Sequence, residues 1–561
     1  MDYQKQRHQI TLTLVGILLL VGSLAGISSG DAALQRGTLV RFTGPTGDIL
    51  VGTYIPGEQP AGVLLLEGFG ADQVSMRSIA SEFAQVGFHV FVFDFSGHGR
   101  SPGSLTFDNA ATERLAGQAL AAKDELLQRS GLRAAELIVL GHSMGARVAL
   151  QAATLDHDPV RGLILFGTQV NLDTSVQAEV FTGVRDVDLP WVQALSPTSP
   201  PTNVLQLIGA WDDILPPVQA RLLLSQLVGE EAQIGKRYGD LDQGTGRELT
   251  ILSALLHLYE TISPRALSQA KAWAQELLPQ VAGVSPHADV ASRRLGFWAL
   301  GLIGFVVALI GGRGWIGTLP AVALSPRRIQ VRSLRRFLWA KLGLWVPALP
   351  LIVLVFGVFY AVPLGVPIFN LIYVGFIGGY GLLCYILYRA GRMPGTEGRV
   401  PFGGTAGGSD EGRRALPAVG ISGLSLLLLT AFVRTGWFLA PPLGMRMVSL
   451  VLFAPVTTLG FWVSLHESEI VRAAAPERKW PQIILALLGL LPFLAWTVFQ
   501  AAIGSLSGIV SALQGLAILA LVLMHGGLIR RLAGQLWLTA LVQTVMLYWL
   551  VLPQGVLFAT W

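Results

Sequence analysis

Five residues, Gly141-His142-Ser143-Met144-Gly145, place a hydroxyl between two glycines, and both flanks suit a nucleophile. The run before them, Glu136-Leu137-Ile138-Val139-Leu140, has the pattern of a buried strand, and Ala146 to Thr154 has that of a helix. A serine hydroxyl attacks poorly unless a sharp strand-to-helix turn presents its oxygen to a base, and flanking glycines let the backbone turn that tightly. Alone the pentapeptide is weak: a chain with 65 glycines in 561 residues holds roughly 0.4 such matches by chance. The chemistry therefore needs an acid and a histidine elsewhere.

On such turns the acid and then the histidine follow the serine, each at the end of a later strand. Gly162-Leu163-Ile164-Leu165-Phe166 reads as the next buried strand, and Asn203-Val204-Leu205-Gln206-Leu207-Ile208-Gly209 as a third. The third runs into Ala210-Trp211-Asp212-Asp213-Ile214-Leu215-Pro216-Pro217, which puts a carboxylate where the strand ends. A fourth, Glu248-Leu249-Thr250-Ile251-Leu252, leads into Ser253-Ala254-Leu255-Leu256-His257. Only His257 and His287 lie between Asp212 and the apolar second half of the chain. His287 stands in a proline-containing linker, so His257 is the base by position and by elimination.

Residues 38 to 280 resemble an α/β-hydrolase of the serine esterase, lipase and aminopeptidase superfamily. Val63-Leu64-Leu65-Leu66-Glu67-Gly68-Phe69-Gly70 resembles the family's strand and oxyanion loop. Phe93-Asp94-Phe95-Ser96-Gly97-His98-Gly99-Arg100-Ser101 resembles its D-x-R-G-H-G-x-S turn, and Asp212-Asp213-Ile214-Leu215-Pro216 its acid loop. The resemblance implies an α/β fold, a sheet with helices on both faces. By the family's register, with the acid four residues before proline, the acid is Asp212. His257 then takes the proton of Ser143, Asp212 orients the imidazole, and the backbone N–H groups of Phe69 and Met144 hold the oxyanion while an acyl-enzyme forms. Glu67 departs from the family, which usually carries histidine there. A carboxylate at that place must point away from the oxyanion or be neutralised by a partner. The family also places its cap between the third and fourth of these motifs, which implies a short lid at about residues 171–202, including Phe181, Val184 and Trp191.

Other polar residues have plainer readings. His98 and His142 sit in motif turns as structural hydrogen-bonders, Asp94 shapes its turn, Asp213 is solvated, and Asp173 lacks the Gly and Pro framing of an acid loop. No two histidines share helical spacing and the one cysteine is Cys384, so the sequence implies no metal site, and it implies no cofactor. A second insertion, Gly229 to Gly246, reads as a hairpin beside His257, and Pro264 to Leu278 as a closing helix capped by Ser263.

The rest of the chain reads as membrane. Hydrophobic residues make up 52% and charged residues 13%, against the ~25% charged of soluble domains. Apolar stretches long enough to cross a bilayer lie at about 10–28, 295–312, 342–364, 368–389, 416–434, 446–465, 481–501, 508–528 and 534–554. Lys5 and Arg7 precede the first. Arg313, Arg327, Arg328, Arg332, Arg335, Arg336 and Lys341 follow the second, and Arg389, Arg392, Arg399, Arg413 and Arg414 the fourth. Arg472, Arg478 and Lys479 follow the sixth, and Arg530 and Arg531 the eighth. Basic residues are retained in the cytoplasm, so this bias puts the N-terminus inside and the hydrolase and Trp561 outside the cytoplasmic membrane. Arg293, Arg294, Arg434 and Arg446 break the pattern. These charges flank spans, where anionic lipid headgroups account for them, and nucleic acid is not an expected partner.

The expected organisation is an anchor or signal peptide at 1–33, an α/β-hydrolase at 34–282, a linker at 283–294 and an all-α polytopic transmembrane domain of about eight helices at 295–561. The expected activity is that of a serine hydrolase cleaving an acyl ester, with membrane lipids or another amphiphilic ester as substrate. Peptide cleavage or acyl transfer by the same triad, and ligand binding without turnover by a transporter or scaffold, are the alternatives.

Overall fold

Short aliphatic runs build one mixed sheet. The computed structural model describes residues 3–106, 110–168, 170–173, 188–281, 287, 289–316, 330–361, 367–397 and 409–558. After helix α1 (Tyr3–Gly30) come strands β1 (Thr38–Thr43), β2 (Ile49–Ile55) and β3 (Gly62–Leu66), helix α2 (Arg77–Gln85), β4 (His89–Asp94) and α3 (Ala110–Ser130). Then follow β5 (Leu137–His142), α4 (Met144–Leu155), β6 (Gly162–Phe166), the single turn α5 (Pro190–Gln193), β7 (Asn203–Gly209), α6 (Pro217–Val228), β8 (Arg247–Leu252) and α7 (Pro264–Leu277). The strand order is β1-β2-β4-β3-β5-β6-β7-β8. β1 and β2 are antiparallel to their neighbours, and β4 through β8 run parallel.

Side chains alternate across β3. Leu64 and Leu66 join one core with Ala149 of α4 and Leu126 of α3, whereas Val63 and Leu65 join a second core with Phe83 of α2 and Trp273 of α7. Helices thus cover both faces, which is why the parallel strands read as continuous apolar runs. Ser143, Asp212 and His257 all follow the carboxyl ends of parallel strands, where open α/β sheets hold their ligands.

Of the expected lid, residues 171–173 and 188–202 are described, and the latter stretch packs down: Val192 and Leu195 enter the first core, and the Arg147 guanidinium lies 5.3 Å from the Trp191 ring. Phe181 and Val184 lie outside the described residues. The Gly229–Gly246 insertion is not beside His257. Tyr238 pairs with Arg247, and Gly246 N–H donates to Asn203 Oδ1, so the insertion sits at the starts of β7 and β8, a strand's length from the histidine.

The remaining helices are α8 (Asp289–Ile316), α9 (Leu334–Gly343), α10 (Trp345–Tyr360), α11 (Leu371–Tyr373) and α12 (Tyr380–Ala390), the last two joined by a π-helical turn, then α13 (Ser409–Val433), α14 (Met445–Ala474), α15 (Trp480–Gly489), α16 (Leu491–Ala502), α17 (Leu506–Ala533) and α18 (Leu536–Val551). A two-residue ribbon, β9 (Gln330–Val331) with β10 (Thr396–Glu397), lies among them. Among the described residues, seven helices are long and apolar enough to cross a membrane, or nine if the pairs α9–α10, bent by 44°, and α15–α16, bent by 68°, each count once. α8 takes in Asp289 to Arg294, so the expected linker is shorter than 283–294.

Contacts sort the helix ends into two groups. At the hydrolase end, Arg294 of α8 pairs with Asp31 after α1 and donates to Thr435 O after α13, Ser507 N–H of α17 donates to Asp213, and Asn370 before α11 donates to Val551 O of α18. At the far end, Arg531 of α17 donates to Arg313 O of α8, Arg530 pairs with Glu469 of α14, and Lys341 of α9 donates to Glu467 at 2.9 Å. α14 thus finishes far from the hydrolase and α17 begins beside it, so α15–α16 crosses between them. α9–α10 likewise leads from the far end to Asn370. Among the described residues each bent pair thus joins one end of the helical domain to the other.

α1 lies against α8 with backbones touching. A Cβ on Gly16 would sit 2.3 Å from Ala308 N, and one on Gly304 would sit 2.7 Å from Gly16 O, while a Cβ on Gly22 meets nothing within 4 Å. Small residues permit this approach in apolar surroundings. Gly304→Leu should therefore cost of the order of 1–3 kcal/mol by overpacking, read as an earlier thermal transition of the full chain, and Gly22→Leu should melt like the parent.

Candidate active site

The chain reverses at Ser143, which has φ +53° and ψ −116°, a conformation that costs a non-glycine residue about 1–3 kcal/mol. The neighbouring glycines are obligatory. A Cβ on Gly141 would lie 2.4 Å from Gly145 O, and one on Gly145 would lie 2.4 Å from Leu66 O, so β3, β5 and α4 can meet only without side chains there. Ser143 N–H donates to Phe166 O at 2.8 Å, tying the turn to β6, and Ser143 O accepts from Arg147 N–H at the start of α4. The dipole of that helix adds a modest positive field at the serine.

Asp212 lies just past β7. Its Oδ1 accepts from the N–H groups of Ile214 (3.1 Å) and Leu215 (2.7 Å), which fixes the carboxylate so that Oδ2 meets His257 Nδ1 at 2.7 Å. Both side chains are buried. With Nδ1 engaged by Asp212, Nε2 is the nitrogen left to serve as a base. The structure thus brings Asp212 and His257 into direct contact. Ser143 is reached through its neighbour: the His142 ring stacks on His257 with centroids 4.7 Å apart. On its other side a Cβ on Gly68 would lie 3.2 Å from Ser143 Cβ, so the Glu67–Gly70 loop abuts the serine. Among the described residues the N–H groups of Phe69 and Met144 meet no protein acceptor, as a pair of oxyanion donors requires.

Glu67 is fully buried and turns away from this pocket: its Oε1 accepts from Phe95 N–H at 3.0 Å. Burial, with Asp94 and Asp72 close by, pushes its carboxyl well above the usual range, which favours the neutral form and lessens its opposition to an oxyanion. Asp94 shapes its turn as expected, accepting from Gln73 N–H, Gln73 Nε2 and Arg100 N–H. His98 is buried, and burial lowers its pKa to about 3. Asp213, partly exposed, also caps α17, accepting from Ser507 N–H at 3.1 Å.

Sequence reasoning missed Glu260 here and read His142 only as a structural hydrogen-bonder of its turn, a role that its Nε2, 3.3 Å from His257 O, fits. His142 is neutral, its pKa lowered to about 3 by burial and by His257. Glu260, completely buried, receives Gly209 N–H at 2.7 Å on Oε1, while Oε2 lies 3.7 Å from both His257 Nδ1 and His142 Nε2. Its signal was its spacing: three residues after His257, on a 3₁₀ turn where i and i+3 eclipse. His142, His257 and Glu260 also form the one group among the described residues whose donor atoms could hold a metal, all within 4.8 Å. The ring nitrogens facing Glu260 already have protein partners, Asp212 Oδ2 for His257 Nδ1 and His257 O for His142 Nε2, so hydrogen bonding accounts for the group.

Burial lifts the Glu260 carboxyl to about 8 from its ordinary 4.5. The folded state therefore binds this proton more tightly than the unfolded chain, and the stability it confers falls as pH rises from about 4.5 to 8. Glu260→Gln should flatten the thermal stability profile of the full chain across that window, with its largest gain over wild type near pH 8. An unaltered slope would show that the carboxyl is already ionised.

Residues 57–237 match the family described as serine aminopeptidase, S33. An uncharacterized protein of Mycobacterium tuberculosis is 27% identical over 216 residues, 37% of this chain and 73% of its own length. Lipase LipV of the same organism is 32% identical over 192 residues, 34% of this chain and 66% of that one. Among solved structures, the α/β-hydrolase GrgF from Penicillium aligns with a TM-score of 0.35 at 15% identity, covering 43% of this chain and 99% of its own. The Pyrococcus furiosus esterase Pf2001 aligns at 0.33 and 18% identity, covering 44% and 92%. Sheet order and the strand-end site give the first half of this chain an α/β-hydrolase fold that matches the serine aminopeptidase family over residues 57–237, joined in one polypeptide to a domain of long apolar helices.

Proposed function

We propose that this protein is a membrane-embedded serine hydrolase that cleaves acyl esters through Ser143, His257 and Asp212. The observation that carries the reading is the 2.7 Å contact of Asp212 with His257 beside a serine held at positive φ. His257 Nε2 takes the Ser143 proton as Oγ attacks the ester carbonyl, and Asp212 stabilises the imidazolium. The tetrahedral oxyanion forms against the Phe69 and Met144 N–H groups. Collapse expels the alcohol, protonated by His257, and leaves an acyl-serine. Water, deprotonated by the same imidazole, then releases the carboxylic acid.

The hydrolase is extracytoplasmic in this reading. What supports it is that Arg313, Arg389, Arg472, Arg530 and Arg531 fall at the helix ends away from the hydrolase, the side where basic residues are retained. A lipid-linked or otherwise amphiphilic ester is the favoured substrate, because a site tethered to a bilayer meets such molecules at high effective concentration, and a lipase is among the relatives. The matched family's description favours one second reading, cleavage of a peptide by the same serine.

Ser143→Ala should remove labelling by a fluorophosphonate probe and lower turnover of short acyl esters by on the order of 10³-fold or more, and Asp212→Asn by on the order of 10⁴-fold. Labelling that survives Ser143→Ala sinks the assignment. Turnover of aminoacyl amides exceeding that of esters would select the peptidase.

A further inference from the structure

Arg446 contradicts the charge pattern of the chain: it begins α14 at the hydrolase end, where basic residues are otherwise scarce. It is 3% exposed, yet its partners are not lipid headgroups. Nη2 donates to Gly97 O at 2.7 Å, Nη1 to Gly99 O at 3.1 Å, and Nε to Gly555 O at 2.7 Å. The helical domain thus inserts a guanidinium into the 94–101 turn of the hydrolase.

That turn is fastened to the oxyanion loop. Asp94 accepts both N–H groups of Gln73, and Glu67 accepts Phe95 N–H. Two more contacts reach the loop directly. Asp72 Oδ2 accepts Leu439 N–H, from the α13–α14 connection, at 2.7 Å, while Oδ1 accepts Val74 N–H at 2.8 Å. The Phe69 ring packs against Phe369 at 5.9 Å and Phe558 at 5.8 Å, both from the helical half of the chain. Leu557 pairs with Gly97 and Leu105 through N–H···O bonds of 3.1 and 2.8 Å. Four segments of the helical domain, around residues 369, 439, 446 and 557, therefore converge on the loop that carries the Phe69 N–H and on the turn fastened to it.

We propose that Arg446, with the Asp72–Leu439 contact, is a positioning residue of the oxyanion hole, so that the helical domain sets the catalytic geometry of the hydrolase. The inference rests on the serine-hydrolase reading above. An oxyanion donor misplaced by a few tenths of an ångström loses much of its effect on the transition state and little on ground-state binding. Arg446 acts through backbone carbonyls and never touches substrate. Its charge also interacts with the Glu67, Asp72 and Asp94 carboxyls, the buried acids behind the loop.

The test uses the full chain in lipid nanodiscs, with Arg446→Met, Arg446→Lys and Asp72→Asn. Methionine keeps an apolar stem and loses every donor. Lysine keeps the charge without the fork that spans three carbonyls. Asparagine has one acceptor oxygen where Asp72 uses two, so one of its two backbone bonds is lost. Hydrogen–deuterium exchange in residues 67–74 should quicken by about tenfold in Arg446→Met and Asp72→Asn. For a p-nitrophenyl ester, kcat per folded molecule should fall by roughly 10- to 100-fold in Arg446→Met, with KM within about twofold, and Arg446→Lys should recover part of the loss. Wild-type-like exchange in 67–74, or unchanged kcat in Arg446→Met with wild type active, overturns this inference alone. Wild-type protein that turns over no ester and takes no fluorophosphonate overturns the serine-hydrolase reading, and the positioning role with it.

Discussion

The reversal of the chain at Ser143 is the constraint on which the rest depends. A serine at φ +53° persists only where its surroundings over-determine it, and here they do so from three sides. β3 presses on the turn through Gly145, β6 holds Ser143 N–H, and α4 starts from its carbonyl. Gly167 continues the same logic. At φ +47° it leaves room where a Cβ would come within 2.8 Å of His257 and Glu260 atoms, so the end of β6 passes under the imidazole without a side chain. The sheet places the histidine and its acid on adjacent strands, β8 and β7, and the glycines let their ends close on the serine.

Around that turn the protein gathers more buried acid than a soluble enzyme core usually tolerates. Glu67, Asp72, Asp94 and Glu260 are all fully buried, and burial raises the pKa of each, Asp72 to about 7. Backbone N–H groups satisfy part of each carboxyl, and cations from the helical domain lie against the Asp72–Asp94 side. A second polar seam joins the halves where α1, α2, α7 and α8 meet. Asp31 accepts from Arg77 at 2.7 Å and pairs with Arg294, Glu82 accepts from Lys271 at 3.0 Å, and Ala291 N–H donates to Glu82 at 2.8 Å. Buried ion pairs add little net stability because desolvation offsets attraction, but they define one relative orientation. An apolar interface would allow many.

How much of this the sequence disclosed follows from the range of the interactions. The strands were legible because parallel strands buried on both faces must be apolar throughout, and the long helices because each is apolar over a length that could cross a bilayer. Ser143, Asp212 and His257 were legible as ordered strand-end residues. Glu260 was hidden by its ordinariness: one glutamate on a turn, distinguished only by burial. Arg294 and Arg446 were visible as breaks in the charge pattern but not interpretable, since their partners, Asp31 and Gly97, lie 263 and 349 positions away. The 229–246 insertion was misplaced because nearness in sequence to His257 says nothing about which end of β8 it occupies. Glu67 looked hostile to an oxyanion until the structure supplied its direction and its neighbours.

The first and last described helices reach opposite ends of the helical domain. Near the start, Gln9 lies against Gly314 at the far end of α8, whereas Phe558 is buried in the core beneath the hydrolase sheet with Leu66 and Phe95. The same geometry places a condition on assembly. The aromatic cluster of Phe69, Phe369 and Phe558 draws on three segments separated by almost 500 positions, so part of the hydrolase core is completed by the tail that follows the last helix.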